Sequence, residues 1–554
     1  MKRNILLFLT CVFYTSSFAQ ITETDKYASL CRVWGFLKYY HPQAAKRSAD
    51  WDRELMSRVS SVAAANDREQ LSKIYLQWIG SLKKVPVLKT PRNNVADTTD
   101  KNYENEWMDN DRVFTDSLKT LLHYIEDNKK KKVRSHYIRR HFPQMNQSFR
   151  NEKRYRDSVM PSLNMRLLCM ARYWNIVQYY YPYKYMTDTP WQRVLENVIP
   201  VFVAANDTPQ YYWAMATLIA NINDSHGYLS MRKDLRIGGI NKAIPAGYSI
   251  THDDTVVINE IYNDSLAARE DVKPGEVILK VNGRLVKEII DEKLKHVCAS
   301  NRDAAYLRLS WYNSLTYGNK DSIVVLTARD GVIKEKTVKR YAPQLMKVTY
   351  GEKKGKQYYR CIDDSIGYLD LDVLRIRHVR RAMKKAANTK TLIVDVRNYP
   401  KMTMFRLARF LNGHRTKFAT FVFPQWSYPG HFRRKGTNKI GWNHHSTYNG
   451  KVILLFNART QSHGEFTCMG LQQGRDVTCI GSQTAGADGD VAAIHLPGGY
   501  DTRITGLGVY YPDGTPTQRI GIVPDITVYP TAAGIAAQRD EVLERALQYI
   551  RTGK

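Results

Sequence analysis

The sequence has few cysteines and lacks long apolar runs. Its 554 residues include only 7 cysteines, which are scattered without the short paired spacing of zinc ligands or of a disulfide framework. No stretch approaches the 18 uninterrupted apolar residues that a membrane-spanning helix needs. These absences argue against a zinc-cluster protein, a disulfide-rich scaffold and an integral membrane protein, and leave an isolated disulfide open.

Acidic residues are also scarce, with 53 Asp and Glu against 83 Lys and Arg, a net charge of +30. Such a balance suggests a polyanionic partner. The basic residues are spread along the chain, however, and no helix-turn-helix, zinc-finger or RNA-recognition motif accompanies them. We therefore expect no nucleic-acid partner, with attraction to anionic envelope surfaces as the alternative.

The N-terminus has the pattern of a secretory signal. Lys2 and Arg3 precede an apolar run from Ile5 to Tyr14, and small residues lead to a cleavage site after Ala19. We expect residues 1–19 to be removed and the mature protein to be exported, either to the periplasm or to the exterior. Cys11 lies inside the apolar run, which makes a lipoprotein anchor the minor interpretation.

A helical sequence pattern occurs twice, at an offset of 140 residues. The first copy, 20–87, contains Trp34, Tyr39-Tyr40, Trp51 and Ala64-Ala65-Asn66-Asp67. The second copy, 161–235, contains Trp174, Tyr179-Tyr180, Trp191 and Ala204-Ala205-Asn206-Asp207. An ungapped match of this kind predicts a duplicated α-helical N-terminal region. Residues 88–160, polar and charge-rich, are expected to form a helical insertion and linker.

Short strands separated by Gly and Asp turns are predicted over 240–342. Two stretches, Gly247-Tyr248-Ser249-Ile250 and Lys273 to Gly283, make this region similar to a PDZ domain. Such domains bind an extended chain end by adding it as a strand to a sheet edge. The resemblance implies that Gly247, Tyr248, Ser249 and Ile250 bind peptide; the alternative is a structural β module that binds nothing.

From 343 to 554 strands alternate with helices, which predicts an α/β domain. The predicted strands are 366–371, 391–398, 420–423 and 451–456, with helices beginning near Arg377, Met404 and Ser462 and a last helix over 539–550. Ser462 stands between a buried strand and a helix N-terminus. Free N–H groups there stabilise an oxyanion, so the position suits a nucleophile. Alternatively, Ser462 only caps the helix, with Glu465 completing a capping box.

Three motifs, combined with the PDZ-like stretch, carry a family resemblance. They are Thr460-Gln461-Ser462-His463-Gly464-Glu465, Gly481 to Gly489, and Gly521-Ile522-Val523-Pro524-Asp525. Over about the last 330 residues the chain resembles a serine peptidase of the C-terminal-processing and tricorn type. The resemblance implies a crotonase-like α/β domain, Ser462 as nucleophile, a polypeptide substrate, and no metal or organic cofactor.

The absence of lysine between Lys451 and Lys554 decides which version of the active site applies. A serine–lysine version needs a lysine after the Thr484-Ala485-Gly486 turn to act as neutral base. The serine–histidine version takes its base from a short turn before the PDZ-like region. Asp224-Ser225-His226 matches that turn, so the resemblance implies His226 as general base.

The third member departs from the family pattern, because Gln518 stands where tricorn-like enzymes have a glutamate. An amide oxygen can orient an imidazole, but it stabilises imidazolium less than a carboxylate does. Asp513 and Glu465 are the alternative carboxylates. The resemblance places the oxyanion hole at the backbone N–H of His463 and at that of Asn398 or Tyr399.

The sequence thus predicts an exported serine endopeptidase that cleaves extended polypeptide through an acyl-enzyme. Cleavage near C-termini is one form that this activity takes in the family. The alternative is a catalytically weak or inactive homologue that binds peptide or acts as a scaffold, which Gln518 and Asn398 favour. The sequence does not indicate an oligomeric state.

Overall fold

The structure, a computed structural model, describes residues 20–46, 50–88, 101–129, 135–141, 146–158, 160–230, 242–311, 314–346, 356–442 and 448–554. The signal expected over 1–19 lies outside these residues. In the described part no helix is both long and apolar enough to cross a membrane. The six described cysteines are all free thiols.

The N-terminal third is mainly helical. Its elements are α1 (Glu23–Tyr40), α2 (Trp51–Met56), α3 (Val59–Ala64), α4 (Arg68–Gly80), α5 (Asp116–Asp127), β1 (Ile138–His141), β2 (Asn146–Phe149), α6 (Leu163–Tyr180), α7 (Trp191–Ala204) and α8 (Thr208–Ala220), with 3₁₀ turns at Glu106–Asp109 and Lys184–Met186. Helix α1 packs against α6. The two copies of the sequence pattern therefore lie side by side.

Both copies adopt the same local structure. Trp34 Nε1 donates to the carbonyl of Trp51 at 2.7 Å, and Trp51 Nε1 donates back at 3.0 Å. Trp174 and Trp191 make the same reciprocal pair, with both bonds at 3.0 Å. Since buried indole N–H groups need an acceptor, each pair fixes the crossing of two helices.

The described residues of the stretch 88–160 include strands as well as helix. Besides α5 it forms the antiparallel pair β1–β2. Its Glu152 is buried and pairs with Lys38 at 2.7 Å and with Arg172 at 3.0 Å, which joins it to both α1 and α6. This stretch belongs to the helical core because it supplies the carboxylate that two buried cations need.

The described middle part of the chain forms an antiparallel sheet with three helices. The elements are β3 (Ala246–Ile250), β4 (Val256–Ile261), α9 (Asp264–Arg269), β5 (Val277–Val281), β6 (Arg284–Leu285), α10 (Val286–Leu294), α11 (Arg302–Trp311), β7 (Ser322–Arg329) and β8 (Val332–Lys339), then a 3₁₀ turn at Pro343–Leu345. The order is β3-β4-β5-β7-β8, with β6 beside β5. Strand β3 is an edge strand, and α11 packs against it.

The C-terminal part is built on a second six-stranded sheet, of order β19-β15-β14-β11-β10-β9. Its elements are β9 (Tyr359–Asp363), β10 (Ile366–Asp370), α12 (Val379–Ala386), β11 (Thr391–Asp395), α13 (Met404–Leu411), β12 (Thr416–Pro424), β13 (Phe432–Ile440), β14 (Lys451–Phe456), α14 (His463–Leu471), β15 (Val477–Gly481), β16 (Val491–Leu496), β17 (Tyr500–Thr505), β18 (Gly508–Tyr510), β19 (Ile526–Thr527), α15 (Ala532–Ala536) and α16 (Glu541–Thr552), with a 3₁₀ turn at Ile376–His378. All neighbours are parallel except β9 and β10.

Alternation along β14 explains the two layers on this sheet. Val452, Leu454 and Phe456 face the core formed with α12, α13 and α14. Ile453 and Leu455 face the other core, which includes α16. Successive side chains of a strand point to opposite faces, so a strand covered on both faces is apolar throughout.

The hairpin β16–β17 joins the α/β part to the helical part. Its apolar side chains, Ile494, Leu496, Tyr500 and Ile504, belong to the helical core. This packing carries the end of β17 to the loop that follows α8. The chain thus combines several units of mixed helices and sheets that share a core across their sequence boundaries.

Candidate active site

Ser462 lies at the carboxyl edge of the main sheet, between β14 and α14. Its backbone has φ 57° and ψ −122°, a positive-φ conformation that is costly for a residue with a side chain. Two contacts hold it there: the Ser462 N–H lies 3.0 Å from both the Ala487 carbonyl and Glu465 Oε2. The half-buried Ser462 lines an open cleft at the helix N-terminus.

Glu465 stabilises the turn at Ser462 through several hydrogen bonds. Besides the Ser462 N–H it accepts the Thr484 hydroxyl at 2.5 Å and the N–H groups of Gly486 and Ala487 at 2.7 and 3.0 Å. Burial raises the pKa of Glu465 to about 7, opposed by these hydrogen bonds. The carboxyl is fully enclosed, so its role is to hold two loops together rather than to meet substrate.

His226 lies in the loop after α8 and lines the same cleft as Ser462. The side chain is buried, and burial lowers its pKa to about 4, with Asp224 acting in the opposite direction. The imidazole is therefore neutral at pH 7. Its Nε2 has no hydrogen-bond partner among the described residues, whereas its Nδ1 lies 2.7 Å from Thr505 Oγ1.

The Thr505 hydroxyl connects His226 to Asp224. Thr505 Oγ1 donates to Asp224 Oδ1 at 3.0 Å, and the same carboxylate accepts the backbone N–H of Thr505 at 2.7 Å and that of His226 at 2.9 Å. A carboxylate can only accept, so the threonine hydrogen points to Asp224 and its oxygen accepts Nδ1–H. This order leaves the lone pair of His226 on Nε2.

Sequence reasoning did not assign roles to Asp224 and Thr505. Asp224 stands two residues before His226 in the motif that identified the histidine, which was the available signal. Thr505 had none, because β17 and the His226 loop are 279 positions apart in the chain.

Gln518 does not take the place that the family pattern gives to a carboxylate. Its side chain is buried, and its Nε2 donates to the Tyr181 hydroxyl at 3.2 Å and to Ser300 Oγ at 3.4 Å. No hydrogen bond joins it to His226 in the described part of the chain. The partner of His226 Nδ1 is the Thr505 hydroxyl instead. Asp513 is exposed and caps its own turn.

The two segments that carry Ser462 and His226 are bonded directly. Gln461 Nε2 donates to the Ser225 carbonyl at 2.8 Å. Ser225 Oγ donates to the Ala485 carbonyl at 2.8 Å, on the loop that also holds Ser462. Each catalytic candidate is therefore preceded by a residue that connects it to the other one.

The expected oxyanion donors lie at the same cleft. His463 is the first residue of α14, where backbone N–H groups have no helical acceptor. Asn398 and Tyr399 follow β11 and also line the cleft, which has a volume of about 560 Å³. No hydrogen bond uses the N–H of His463 or Asn398 within the described chain. Both donors remain open for a substrate oxygen.

The stretch expected to bind peptide is edge strand β3. Gly247 has no room for a side chain, since a Cβ there would lie 2.4 Å from the Tyr262 hydroxyl. The Tyr248 side chain is buried and bonds to Leu309 and Leu315, while the Ile250 N–H donates to Ser310 Oγ at 3.2 Å. Tyr248, Ser249 and Ile250 line a second cavity of about 780 Å³.

This second cavity leads to the first. Trp311 and Arg459 line both of them. An extended chain lying along β3 would therefore reach Ser462 past these two side chains. No cluster of three or more His, Cys, Asp or Glu side chains in the described residues is arranged to hold a metal ion.

Comparison with known proteins gives a family for part of the chain. Residues 365–528 match Peptidase family S41, whereas no curated protein matches the sequence. A mutant of CPAF superimposes with a TM-score of 0.57 at 14% identity, and the comparison covers 70% of this chain and 98% of CPAF. Mature CPAF complexed with lactacystin gives 0.56 at 14%, with the same coverage. At that identity these two structures support the fold alone.

A peptidase from Parabacteroides merdae covers 70% of this chain and 96% of its own, with a TM-score of 0.43 at 15% identity. The family match contains β14, the Ser462 turn, the Thr484–Ala487 loop and Gln518. It confirms the resemblance that the three sequence motifs indicated. The chain is therefore a serine-type peptidase whose residues 365–528 belong to family S41.

Proposed function

We propose that this peptidase is an endopeptidase that cleaves extended polypeptide through an acyl-enzyme, with Ser462 as nucleophile and His226 as general base. One observation carries the proposal: Ser462 and His226 line one cleft, and the Thr505–Asp224 contact reserves Nε2 of the imidazole for the proton of the serine. Backbone N–H groups of His463 and Asn398 supply the oxyanion hole.

The chemistry follows the serine-peptidase sequence. Ser462 Oγ attacks the scissile carbonyl carbon while His226 Nε2 accepts the hydroxyl proton, and the carbonyl oxygen takes the negative charge toward the two N–H groups. The C–N bond breaks as the imidazolium returns that proton to the amine. Water then adds to the ester, losing its proton to Nε2, and the second product leaves with Ser462 restored.

The Asp224–Thr505 pair does the work expected of a third catalytic residue. It fixes the tautomer and ring orientation of His226, and it places a carboxylate 3.8 Å from Nδ1 when the imidazole becomes charged. A threonine between the two groups weakens that attraction relative to direct contact. We propose Asp224 and Thr505 as positioning residues in place of Gln518.

A second candidate function rests on the unpartnered Nε2 of His226. Because no Ser462–His226 hydrogen bond is present, the chain also fits a homologue that binds peptide along β3 and turns over slowly or not at all. Catalytic hydrogen bonds in substrate-free enzymes are often long and tighten when substrate binds. The family assignment and the open oxyanion donors favour the active enzyme.

The remaining sequence inferences belong to the same proposal. We place the helical repeats at 20–87 and 161–235, the insertion at 88–160, a PDZ-like module at 240–342 and a crotonase-like peptidase domain at 343–554. The N-terminal pattern supports export to the periplasm or beyond, with residues 1–19 removed. Edge strand β3 supports recognition of an extended segment, including a C-terminal one.

A fluorophosphonate probe tests the nucleophile. We expect covalent labelling of the mature wild-type chain at Ser462, found by peptide mapping, and loss of labelling in Ser462→Ala. In His226→Ala labelling and peptide cleavage should fall by ~10³-fold or more, because the serine loses its base. Gln473→Ala is the matched control, since Gln473 lies past the other end of α14 and its side-chain amide donates to the Met469 carbonyl, away from the cleft. Folded wild-type protein without labelling between pH 6 and 9 would leave the binding homologue.

A further inference from the structure

Three arginines line the catalytic cleft. Arg397, Arg459 and Arg503 line it together with Ser462 and His226. Asp490 is the single acidic side chain among the described residues that line this cleft. The charge available to a substrate depends on which of the three guanidinium groups already has a carboxylate partner.

Arg397 is compensated within the protein. Its guanidinium makes ion pairs with Asp395 at 2.7 Å and with Asp540 at 2.6 Å. Two carboxylates on one cation leave no net positive charge at this point of the cleft. Arg397 therefore fixes the loop that carries Asn398 and does not attract an anionic ligand.

Arg503 has no such partner. Its Nε donates to the His226 carbonyl at 3.1 Å, and its guanidinium carbon lies 4.7 Å from the centre of the Tyr228 ring. No carboxylate of the described residues lies within ion-pair distance of it. The backbone bond and the ring hold a charged group beside the catalytic histidine while leaving its terminal N–H groups unused.

Arg459, which also lines the cleft, has no ion-pair partner among the described residues. Its guanidinium carbon is 5.9 Å from the Trp311 ring centre, at the passage between the two cavities. Glu260 and Asp372 act on it only at longer range, since neither forms an ion pair with it in the described chain. A peptide that runs from β3 to Ser462 must pass this side chain.

We infer that the peptidase prefers substrates with acidic side chains flanking the scissile bond, and that Arg459 and Arg503 determine this specificity. The inference rests on the proposed function, whose substrate class it narrows. A planar guanidinium matches a carboxylate with two parallel hydrogen bonds, and cations with unused donors in a concave site attract anionic ligands. The net charge of +30 also attracts acidic peptides over a longer range.

Binding is measured first, on the Ser462→Ala mature chain, so that catalysis does not enter. Two fluorescent peptides are compared that differ only in Glu and Asp against Gln and Asn around the cleavage position. We expect the acidic peptide to bind ~3- to 30-fold more tightly at low salt, with the difference shrinking as salt is raised. Equal affinity for the two peptides would overturn the inference.

The variants then assign the preference to residues. Arg459→Gln and Arg503→Gln should each reduce the acidic-to-neutral affinity ratio several-fold, and Arg459→Glu should shift the preference toward a lysine-containing peptide. Arg503→Lys keeps the charge and should keep the preference for the acidic peptide. That result would show that the loss in Arg503→Gln comes from the missing charge and not from misfolding. Arg193→Gln, an exposed arginine on α7, is the matched control and should leave the ratio unchanged. An equal loss in Arg193→Gln would mean that net charge alone is responsible and would overturn the assignment.

Cleavage by the wild-type chain separates the two proposals. Acidic peptides cleaved with higher kcat/KM than their neutral counterparts support both. Neutral peptides cleaved equally fast overturn the specificity inference and leave the proposed function intact. A chain that binds acidic peptide through Arg459 and Arg503 but never cleaves contradicts the proposed function and leaves this inference standing.

Discussion

Gln461 and Ser225 are joined by a hydrogen bond of 2.8 Å across 236 positions of sequence. The donor is the side chain before the candidate nucleophile, and the acceptor is the carbonyl before the candidate base. This bond fixes the distance between two loops that come from different parts of the chain. Precise placement of reacting groups accounts for a large part of enzymatic rate.

Removing this bond should lower turnover more than substrate binding. In Gln461→Ala the Ser225 carbonyl loses its donor, and the His226 loop is free to shift relative to Ser462. We expect kcat to fall by ~10- to 100-fold with KM changed by less than ~3-fold, since small misplacements carry costs of this order. Steady-state kinetics on one peptide gives both numbers. Gln473→Ala removes an amide that bonds to Met469 of α14 and should behave as wild type. A similar fall in kcat in that variant would contradict the idea that the Gln461–Ser225 bond positions the two loops.

Asp224 and Thr505 should control the tautomer of His226. Asp224→Asn offers the Thr505 hydroxyl an amide in place of a carboxylate, and Thr505→Val removes the hydroxyl altogether. Either change should lower kcat by ~10²- to 10⁴-fold, at most the ~10⁴-fold loss known for a histidine that loses a directly bonded carboxylate. Thr505→Ser retains the hydroxyl and should recover most of the activity.

Gln518→Ala provides the comparison for that prediction. The Gln518 amide bonds to Tyr181 and Ser300 rather than to His226, so its removal should lower thermal stability and leave kcat nearly unchanged. Nitrogen-detected NMR of the imidazole would report the tautomer directly. A proton on Nε2 in the wild-type chain, or a Gln518→Ala loss in kcat as large as that of Thr505→Val, would contradict the assignment.

Much of the peptidase core was accessible from the sequence. The apolar run 451–456 coincides with β14, and the predicted helix near Met404 begins there in α13. Ser462 lies at the predicted strand-to-helix turn because a buried strand followed by a capping position admits few other arrangements. The predicted strand 391–398 is shorter, ending at Asp395, because the chain then turns toward the cleft.

The contacts that complete the site depend on tertiary structure. Thr505 reaches His226 only because the apolar face of β16–β17 packs into the helical core, and no local pattern reports that packing. The family position of Gln518 suggested an orienting amide, yet its donors satisfy Tyr181 and Ser300. The pair β1–β2 was missed because its strands, IRRH and NQSF, are polar and lack an apolar alternation.

The buried ion cluster of the helical part gives a stability prediction. Arg172 is fully buried between Asp52 at 2.7 Å and Glu152 at 3.0 Å. In Arg172→Met both carboxylates lose a partner, although Lys38 still contacts Glu152. We expect the free energy of unfolding to fall by ~3–5 kcal/mol, as when one member of a buried pair is removed.

Chemical denaturation of the wild type and the variant, fitted with shared baselines, measures the change in the free energy of unfolding. Arg193→Met, on the exposed face of α7, is the control and should stay within ~0.5 kcal/mol of wild type. A double variant that replaces Arg172 and Asp52 with apolar residues should recover part of the loss, since the remaining carboxylate, Glu152, keeps Lys38 as its partner. A small effect in Arg172→Met would mean that water reaches the cluster.

The pH dependence of kcat/KM follows from the enclosure of His226. Burial, together with Arg503 and Arg308, lowers the pKa of the imidazole to about 4, while Asp224 and Asp490 oppose the shift. Because the base must be neutral, kcat/KM should stay flat from about pH 8 down to about pH 5 and then fall tenfold per pH unit below about 4. A histidine at its ordinary pKa would give a limb near 6.5.

Replacement of Arg503 tests the electrostatic part of that shift. Arg503→Gln removes a positive charge beside the imidazole, so the acidic limb should move to higher pH, while Arg193→Gln should leave it in place. The measurement is kcat/KM for a neutral peptide from pH 3.5 to 9, with folding checked at each pH. The same shift affects stability. Above pH 6.5 the imidazole is neutral in both the folded and the unfolded chain, and between pH 6.5 and 4 it gains a proton only in the unfolded chain. His226 therefore lowers the free energy of unfolding as the pH falls through this range. An acidic limb near pH 6.5 in the folded wild-type chain would show that water, rather than packed protein, surrounds His226.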